Sequence, residues 1–345
     1  MSASESNSSP LVAVIGATGA VGGEMLKCLE ASAPAGTRVR LFASERSIGK
    51  TASFRGAPVK LEALTPDAFT GVKVALFASS KDVSRAFAPA ARERGAIVVD
   101  NSSAYRMDPA IPLVVPEING ALLRERPSLV ANPNCTAAIM TMALWPLHKI
   151  SPVKRIVAAT YQAASGAGAA AMAELEASTR AYLAGESYAP KVLPHPYAFN
   201  VFSHNDPIDL ETGYNGEETK VMNEVRKIMS APSLRIGVTC VRVPVLRAHA
   251  MALSVETEAP LDLEEARRAL SAAPGVKLVD DRARNYFPMP LDASGGDDVL
   301  VGRLRPDVSD PSGRTIVIFA SGDQLRKGAA LNAVQIAGIV EGWRG

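Results

Sequence analysis

A cysteine at the junction of an apolar strand and a long helix-compatible run is the strongest chemical signal in this 345-residue chain. In residues 131–136 (ANPNCT) a Pro-containing turn follows the apolar SLVA, and residues 137–150 then continue as helix, so Cys135 sits at a helix start. There the macrodipole and the free amide groups of the first turn stabilise a thiolate, and the same amides can receive the oxyanion of a tetrahedral adduct. A thiolate nucleophile needs a proton-transfer partner, and His249, between two apolar alternating segments in VRVPVLRAHAMALSVETE, is the best candidate. Arg242 stands seven residues earlier. An extended chain advances about 3.3 Å per residue, so the two share a site only if the chain bends, and Pro244 lies between them. By residue type alone a strand histidine is more often a satisfied core residue, and an arbitrary cysteine a small buried one. Position at the helix start sets Cys135 apart.

A second constellation lies near the start. The apolar run Leu11–Ile15 (LVAVI) passes into GATGAVGGEMLKCLE, where Gly16, Gly19 and Gly22 repeat as G-x-x-G-x-x-G before a helical period sets in. Strand, glycine turn and helix in that order suit a pyrophosphate: the missing side chains allow a tight turn and close approach, and the phosphate meets the helix N-terminus. Such a pattern is weak by itself, but further apolar runs at 39–43, 74–78 and 97–100, with helix-compatible stretches such as 81–94 between them, alternate as a doubly wound sheet requires. The end of the second strand chooses between dinucleotides. Ser44, Arg46 and Ser47 offer two hydroxyls and a guanidinium to the 2'-phosphate of NADP, while Glu45 leaves NAD open.

To hold these groups the chain has enough apolar material, 47% of its residues, for two cores, which at this length means two domains. A net charge of +2 with 21% charged residues gives no basic excess for nucleic acid or an anionic membrane surface. The Ser-rich start, MSASESNSSP, lacks the order of a signal peptide, so residues 1–10 are expected to be a disordered tail of a cytoplasmic protein. Three cysteines cannot build a disulfide framework, and four histidines without short-spaced pairs support no metal site.

Taken together, GATGAVG, SERSIGK, VVDNSSAYRMDPAIPLVVPEIN, NPNCTAAIM, YQAASGAG, EETKVMNEVRKIM, CVRVPVLRAHA and LRKGAALNAVQIA resemble aspartate-semialdehyde dehydrogenases in one order over residues 11–337. The resemblance implies an α/β chain: a Rossmann-type, doubly wound NADP-binding domain over 11–134, completed by a C-terminal helix over 325–345. A catalytic and dimerisation domain over 135–324 follows, an α+β mixed sheet of the glyceraldehyde-phosphate-dehydrogenase type. It further implies a homodimer and NADPH-dependent reductive dephosphorylation of L-aspartyl 4-phosphate to L-aspartate 4-semialdehyde, in lysine, threonine and methionine biosynthesis. In that scheme Cys135 carries the acyl-thioester, His249 is general acid and base, and Gln162 orients the substrate. Arg242 grips its carboxylate, Glu217 meets its amino group, and Arg106 and Lys220 bind phosphate. Thr18, Gly19, Ala20 and Val21 at the glycine turn, Arg46 and Ser47, and Ser165 with Gly166 touch the cofactor. Two departures stand out. Ala248-His249-Ala250 replaces the family's common Gly-His-Ser, which removes a possible hydrogen bond to the histidine, and Gln324 replaces a common Asn while keeping the amide for cofactor contact. N-acetyl-glutamyl-phosphate reductase shares the chemistry, but an acetylated amine would give Glu217 no cation to meet. A non-catalytic relative would be expected to have lost a reacting group, and Cys135, Gln162, Arg242 and His249 are all present.

Overall fold

The computed structural model describes residues 10–343, so the tail expected over 1–10 lies, apart from Pro10, outside the described residues. The chain divides into two compact units. One holds the described residues up to Val114, Gly120–Asn132 and those from Ala330 onward; the other holds Val115–Asn119 and Pro133–Ala329.

In the first unit β1 (Leu11–Ile15) leads through the glycine turn into α1 (Ala20–Ser32). Then come β2 (Arg38–Phe42), β3 (Thr51–Phe54), β4 (Ala57–Glu62), β5 (Val74–Phe77), α2 (Lys81–Glu93), β6 (Ile97–Asp100) and β7 (Leu129–Ala131). The sheet runs β3-β4-β2-β1-β5-β6-β7 and is parallel except between β3 and β4. Val12 to Ile15 are all buried, as a strand covered on both faces requires. One cover contains Met25 and Leu29 of α1 with Val334 and Ile336 of the C-terminal helix (Leu331–Glu341); the other contains Phe69, Phe77, Ala88 and Ala91. The β3–β4 hairpin is not foreseen by the sequence reading, because its strands lack a run of buried residues. Direction reverses around β1, whose neighbours are β2 and β5, so the glycine turn emerges where such sheets bind ligands.

The second unit contains α3 (Pro116–Asn119), α4 (Cys135–Ile150), β8 (Val153–Gln162), α5 (Ala169–Leu183), β9 (Phe202–Ser203), α6 (Gly216–Ile228) and β10 (Arg235–Arg242). It continues with β11 (His249–Thr257), α7 (Leu263–Ala272), β12 (Val276–Leu278), α8 (Pro290–Ala293), β13 (Val299–Pro306) and β14 (Thr315–Gly322). Its mixed sheet has the order β12-β13-β14-β11-β8-β10-β9. Residues alternate along β8: Ile156, Ala158, Thr160 and Gln162 are buried, whereas Val157 and Tyr161 are exposed. Helices α4, α6 and α7 cover the buried side.

The grouping differs from the expected domains at three places, the smallest being Pro133 and Asn134, which fall in the second unit. Val115–Asn119 belongs to the second unit, where Glu117 pairs with the Lys327 ammonium at 2.5 Å and Asn119 donates to the Ile228 carbonyl. Residues 325–329 also belong there, in a π-helical turn over Arg326–Ala330, and the C-terminal helix starts only at Leu331. Among the described residues no helix is long and apolar enough to cross a membrane.

Candidate active site

Three neighbouring strands of the second unit bring the candidate residues together. β10 lies parallel to β8 with Arg242 opposite Gln162, and β11 lies antiparallel to β8 with Ala250 opposite Tyr161. The chain between Arg242 and His249 therefore turns back, as Pro244 suggested, and both residues reach the end of β8 that carries Gln162. His249 is 1% exposed and accepts the Ala163 N–H on Nδ1 at 3.1 Å. That bond fixes the tautomer with the proton on Nε2. Burial, and after it the Arg242 charge, push the imidazole down to about 3, so it is neutral at ordinary pH.

Cys135 opens α4 as its first residue, partly exposed. The first turn is more committed than the sequence suggested. The Asn134 side chain caps it by accepting from the Thr136 and Ala137 amides at 2.9 and 3.1 Å, and the Asn134 amide donates to the buried Glu224 carboxylate. The expectation that free amides of this turn would bind an oxyanion is corrected for residues 134, 136 and 137, because Asn134 and Glu224 satisfy them. Gly328 packs against Cys135, where a Cβ would stand 2.9 Å from that of the cysteine.

Around this turn lies a buried polar cluster. Glu217, 5% exposed, accepts from Asn134 Nδ2 at 3.0 Å, Gln162 Nε2 at 3.0 Å and Thr136 Oγ1 at 3.3 Å, and pairs with Lys220 at 3.4 Å. Burial raises its carboxyl, but the Lys220 ammonium and these donors outweigh that and hold it below the ordinary carboxylate range. Gln162 Nε2 also donates to Thr136 Oγ1, while its buried Oε1 has no partner. Lys220 reaches Asp206 at 2.6 Å. His204, Asp206 and Glu217 offer ligand atoms within 4.8 Å of one another, but the Lys220 ammonium already lies against two of them.

Arg242, 3% exposed, donates from Nε to Asn205 Oδ1 at 3.1 Å and from Nη1 to the Ala163 carbonyl at 3.1 Å, and its Nη2 lies 2.8 Å from His204 Nε2. Over it lies Gly166: a Cβ there would come 2.8 Å from His249 Cε1, 2.9 Å from Nε2 and 3.0 Å from Arg242 Nη1. Ser165 and Gln324, both expected at the cofactor, are engaged with each other, since the Gln324 amide nitrogen donates to Ser165 Oγ and its oxygen accepts the Ala248 N–H at 3.0 Å. Ala248 itself has φ 70°, the left-handed region glycine prefers. The alanine costs strain, on the order of 1 kcal/mol.

In the first unit Gly16 and Gly22 are required by space: a Cβ on Gly16 would collide with the Ala78 carbonyl, and one on Gly22 with that of Gly16. Gly19 caps α1 without any side-chain hydrogen bond, which leaves this helix end suited to a phosphate, beside exposed Thr18 and half-buried Ala20 and Val21. Ser44 and Arg46 are exposed and Ser47 half-buried in a short 3-10 turn just beyond β2. Arg106, expected at phosphate, is buried in this unit and donates to the Asn132 and Asn101 carbonyls at 2.9 and 2.6 Å. Sequence reasoning missed Asn134, Thr136, His204, Glu224 and Gly328. Only Asn134 carried a local signal, as an Asn directly before a helix start.

The two halves of the chain match known protein families. The family model "Semialdehyde dehydrogenase, NAD binding domain" matches residues 11–126, and "Semialdehyde dehydrogenase, dimerisation domain" matches 144–327. The chain is 49% identical to an aspartate-semialdehyde dehydrogenase of Synechocystis sp., over 96% of this chain and 98% of that one. With the enzyme of Aquifex aeolicus it is 43% identical, over 95% and 97%. Among solved structures, aspartate semialdehyde dehydrogenase II of Vibrio cholerae complexed with ASA superposes with a TM-score of 0.91 at 40% identity, covering 96% of this chain and 98% of that one. A Candida albicans enzyme solved with NADP shares the fold, with a TM-score of 0.74 at 21% identity over 97% and 99% of the two chains. By sequence, fold and the assembled residues, the chain belongs to the aspartate-semialdehyde dehydrogenase family.

Proposed function

We propose that this chain is an NADP-dependent aspartate-semialdehyde dehydrogenase that converts L-aspartyl 4-phosphate to L-aspartate 4-semialdehyde through an acyl-thioester on Cys135. The observation that carries the reading is the meeting, in one unit, of a thiol at a helix N-terminus, a buried imidazole with its proton on Nε2, and a buried guanidinium whose partners among the described residues are all neutral.

The N-terminus of α4 favours negative charge on Sγ. The thiolate attacks the acyl carbon, and His249 Nε2–H donates to the oxygen that becomes anionic. The bond to phosphate breaks, phosphate departs with the proton that the reaction consumes, and the acyl group remains on sulfur. Bound NADPH supplies the hydride that reduces this thioester. His249 meets the same oxygen again, the C–S bond breaks, the semialdehyde leaves and Cys135 returns as thiolate. In this reading His249 is chiefly a donor; serving as a base at Nε2 would require its proton on Nδ1, where the Ala163 N–H points.

Arg242 takes the substrate carboxylate, Glu217 its ammonium group, and Gln162 orients the carbonyl. A buried carboxylate held ionised suits a free amine, which argues against an N-acetylated substrate. Arg106 and Lys220 are assigned the transferred phosphate by the family pattern. The residues of the glycine turn fit a dinucleotide, with Ser44, Arg46 and Ser47 at the 2'-phosphate, and this favours NADP over NAD. Ser165 and Gln324 act by holding the turn that carries Gly166. A homodimer is supported by the uncovered side of the second sheet, where the Tyr161 and Phe319 rings lie 6.2 Å apart and Val157 is exposed.

The test is phosphate-dependent reduction of NADP with L-aspartate semialdehyde, with NAD, N-acetyl-glutamate semialdehyde and Cys135→Ala in parallel. Activity with the first pair, lost in the variant while NADP binding persists, is expected. Turnover retained without the thiol would sink the nucleophile assignment.

A further inference from the structure

Arg242 is a buried cation with an uncommon set of partners. Among the described residues all three are neutral: the Asn205 amide oxygen, the Ala163 carbonyl and the His204 imidazole. A guanidinium has five N–H groups, so these three bonds leave two for another acceptor. The nearby carboxylates are used elsewhere, Asp206 by Lys220 and Glu217 by Lys220, Asn134 and Gln162.

His204 follows β9 and is 7% exposed. Its backbone N–H donates to the Cys240 carbonyl at 2.9 Å, which ties it to β10, the strand that ends in Arg242. Donors approach both ring nitrogens: Arg242 Nη2 at 2.8 Å from Nε2, and the Asp206 N–H at 3.2 Å from Nδ1. A neutral imidazole has one acceptor nitrogen, and the closer, charged donor claims it, which puts the lone pair on Nε2. A protonated ring would satisfy neither donor and would set two cations 2.8 Å apart. Burial, followed by the Arg242 charge, lowers the imidazole to about 4 against the opposing pull of Glu217 and Asp206, so it stays neutral.

We propose that His204 is a specificity-setting positioning residue: as a neutral acceptor it fixes the Arg242 guanidinium without cancelling its charge, so that the charge is kept for a substrate carboxylate. The proposal rests on the assignment of Arg242 to that carboxylate. A carboxylate at position 204 would hold the guanidinium as well, but as an internal ion pair that competes with substrate. An apolar residue would leave one N–H unpaired and the side chain less fixed. A neutral amide reproduces what the imidazole does.

The test is a variant series read by steady-state kinetics, varying L-aspartate semialdehyde at saturating phosphate and NADP, with melting temperature as the check on folding. His204→Gln should keep kcat and KM within about two-fold of the parent. His204→Leu should raise KM about ten-fold with kcat within about three-fold, the loss of one hydrogen bond to a charged group. His204→Glu should raise KM about 100-fold or more, although it restores an acceptor. KM values for phosphate and NADP should stay put throughout. Unchanged KM in the Glu variant would overturn the proposal, as would a Gln variant as poor as Leu, or a fall confined to kcat. Should the Leu variant fail to fold, the Gln and Glu pair still decides. Arg242→Gln is the separate arm: if it leaves KM for the semialdehyde unchanged, the carboxylate assignment fails and the proposal with it; if KM rises there but not in His204→Glu, only the role of His204 fails.

Discussion

Replacing Gly166 by alanine should disable the enzyme through a single methyl group. The φ of Gly166 lies outside the left-handed region, so alanine is acceptable to the backbone there and the obstacle is space alone. The new Cβ would stand 2.8 and 2.9 Å from two atoms of the His249 ring and 3.0 Å from Arg242 Nη1. Ordinary contacts between such atoms are about 3.5 Å or more, so the closest approach is short by about 0.7 Å. Neither neighbour can withdraw freely: His249 is buried and held at Nδ1 by Ala163, and Arg242 is held at three points. The strain must displace the imidazole, the guanidinium or the turn over Ala164–Ala167 by several tenths of an ångström. Misplacement of catalytic groups by about 1 Å costs on the order of 100-fold in rate, or about 2.7 kcal/mol in the barrier. Overpacking should also lower folding stability by about 1–3 kcal/mol. Phosphate-dependent oxidation of the semialdehyde gives kcat/KM, and urea unfolding followed by circular dichroism gives stability. A Gly166→Ala enzyme with kcat/KM within three-fold of the parent and an unchanged unfolding midpoint would refute the packing argument.

Gly23, inside α1 with nothing within 4 Å of where a Cβ would stand, is the opposite case, and Gly23→Ala should stabilise by up to about 1 kcal/mol in the same urea assay without altering kinetics. Arg46→Ala should weaken NADP binding about ten-fold or more and NAD binding far less, checked by fluorescence titration; equal losses would remove Arg46 from the 2'-phosphate. His204 and His249 titrate at about 4 and 3 in the folded chain against an ordinary 6.5, so the unfolded chain binds protons that the folded one refuses. Their contribution to stability is complete above about pH 6.5 and is lost as pH falls toward 4 and 3. Around pH 5 each adds up to about 1.4 kcal/mol per pH unit, so urea unfolding of His204→Gln near pH 5 should show a slope shallower than the parent's by about that amount, and equal slopes would contradict it.

Much of the fold was legible because strong periodicity and punctuation mark it. β6 lies at the residues read from the sequence, and α2 and α4 lie within two residues of their expected ends. The β3–β4 hairpin escaped because its strands alternate weakly and only Phe54 and Leu61 of them are buried. The C-terminal helix starts later than expected because the Lys-Gly-Ala-Ala segment relaxes into a π turn while remaining helical in composition. Within the site, Cys135 and His249 could be suspected from local context. Glu217, Lys220 and Gln162 could not, since nothing in their neighbourhoods distinguishes them from ordinary helix or strand residues, and they entered through the family resemblance. Asn134 and His204 act through partners distant in sequence, Glu217 and Arg242, which only the folded chain reveals. The commitment of the first-turn amides to Asn134 and Glu224 was also invisible, because a cap satisfies the amides that a bare helix start would offer.

The strand register of β8, β10 and β11 has an evolutionary consequence. Because Arg242 sits opposite Gln162 and His249 lies one step beyond the Ala250–Tyr161 pair, the spacing of the three side chains is metered by the hydrogen-bond ladder and not by the loops between them. Deleting one residue within any of these strands would invert the parity of its side chains and turn Gln162, Arg242 or His249 to the opposite side of the sheet. Lengthening the excursion between α5 and β9 would leave the ladder as it is. Loop length can therefore change without moving these three side chains, whereas the intervals counted along the three strands cannot.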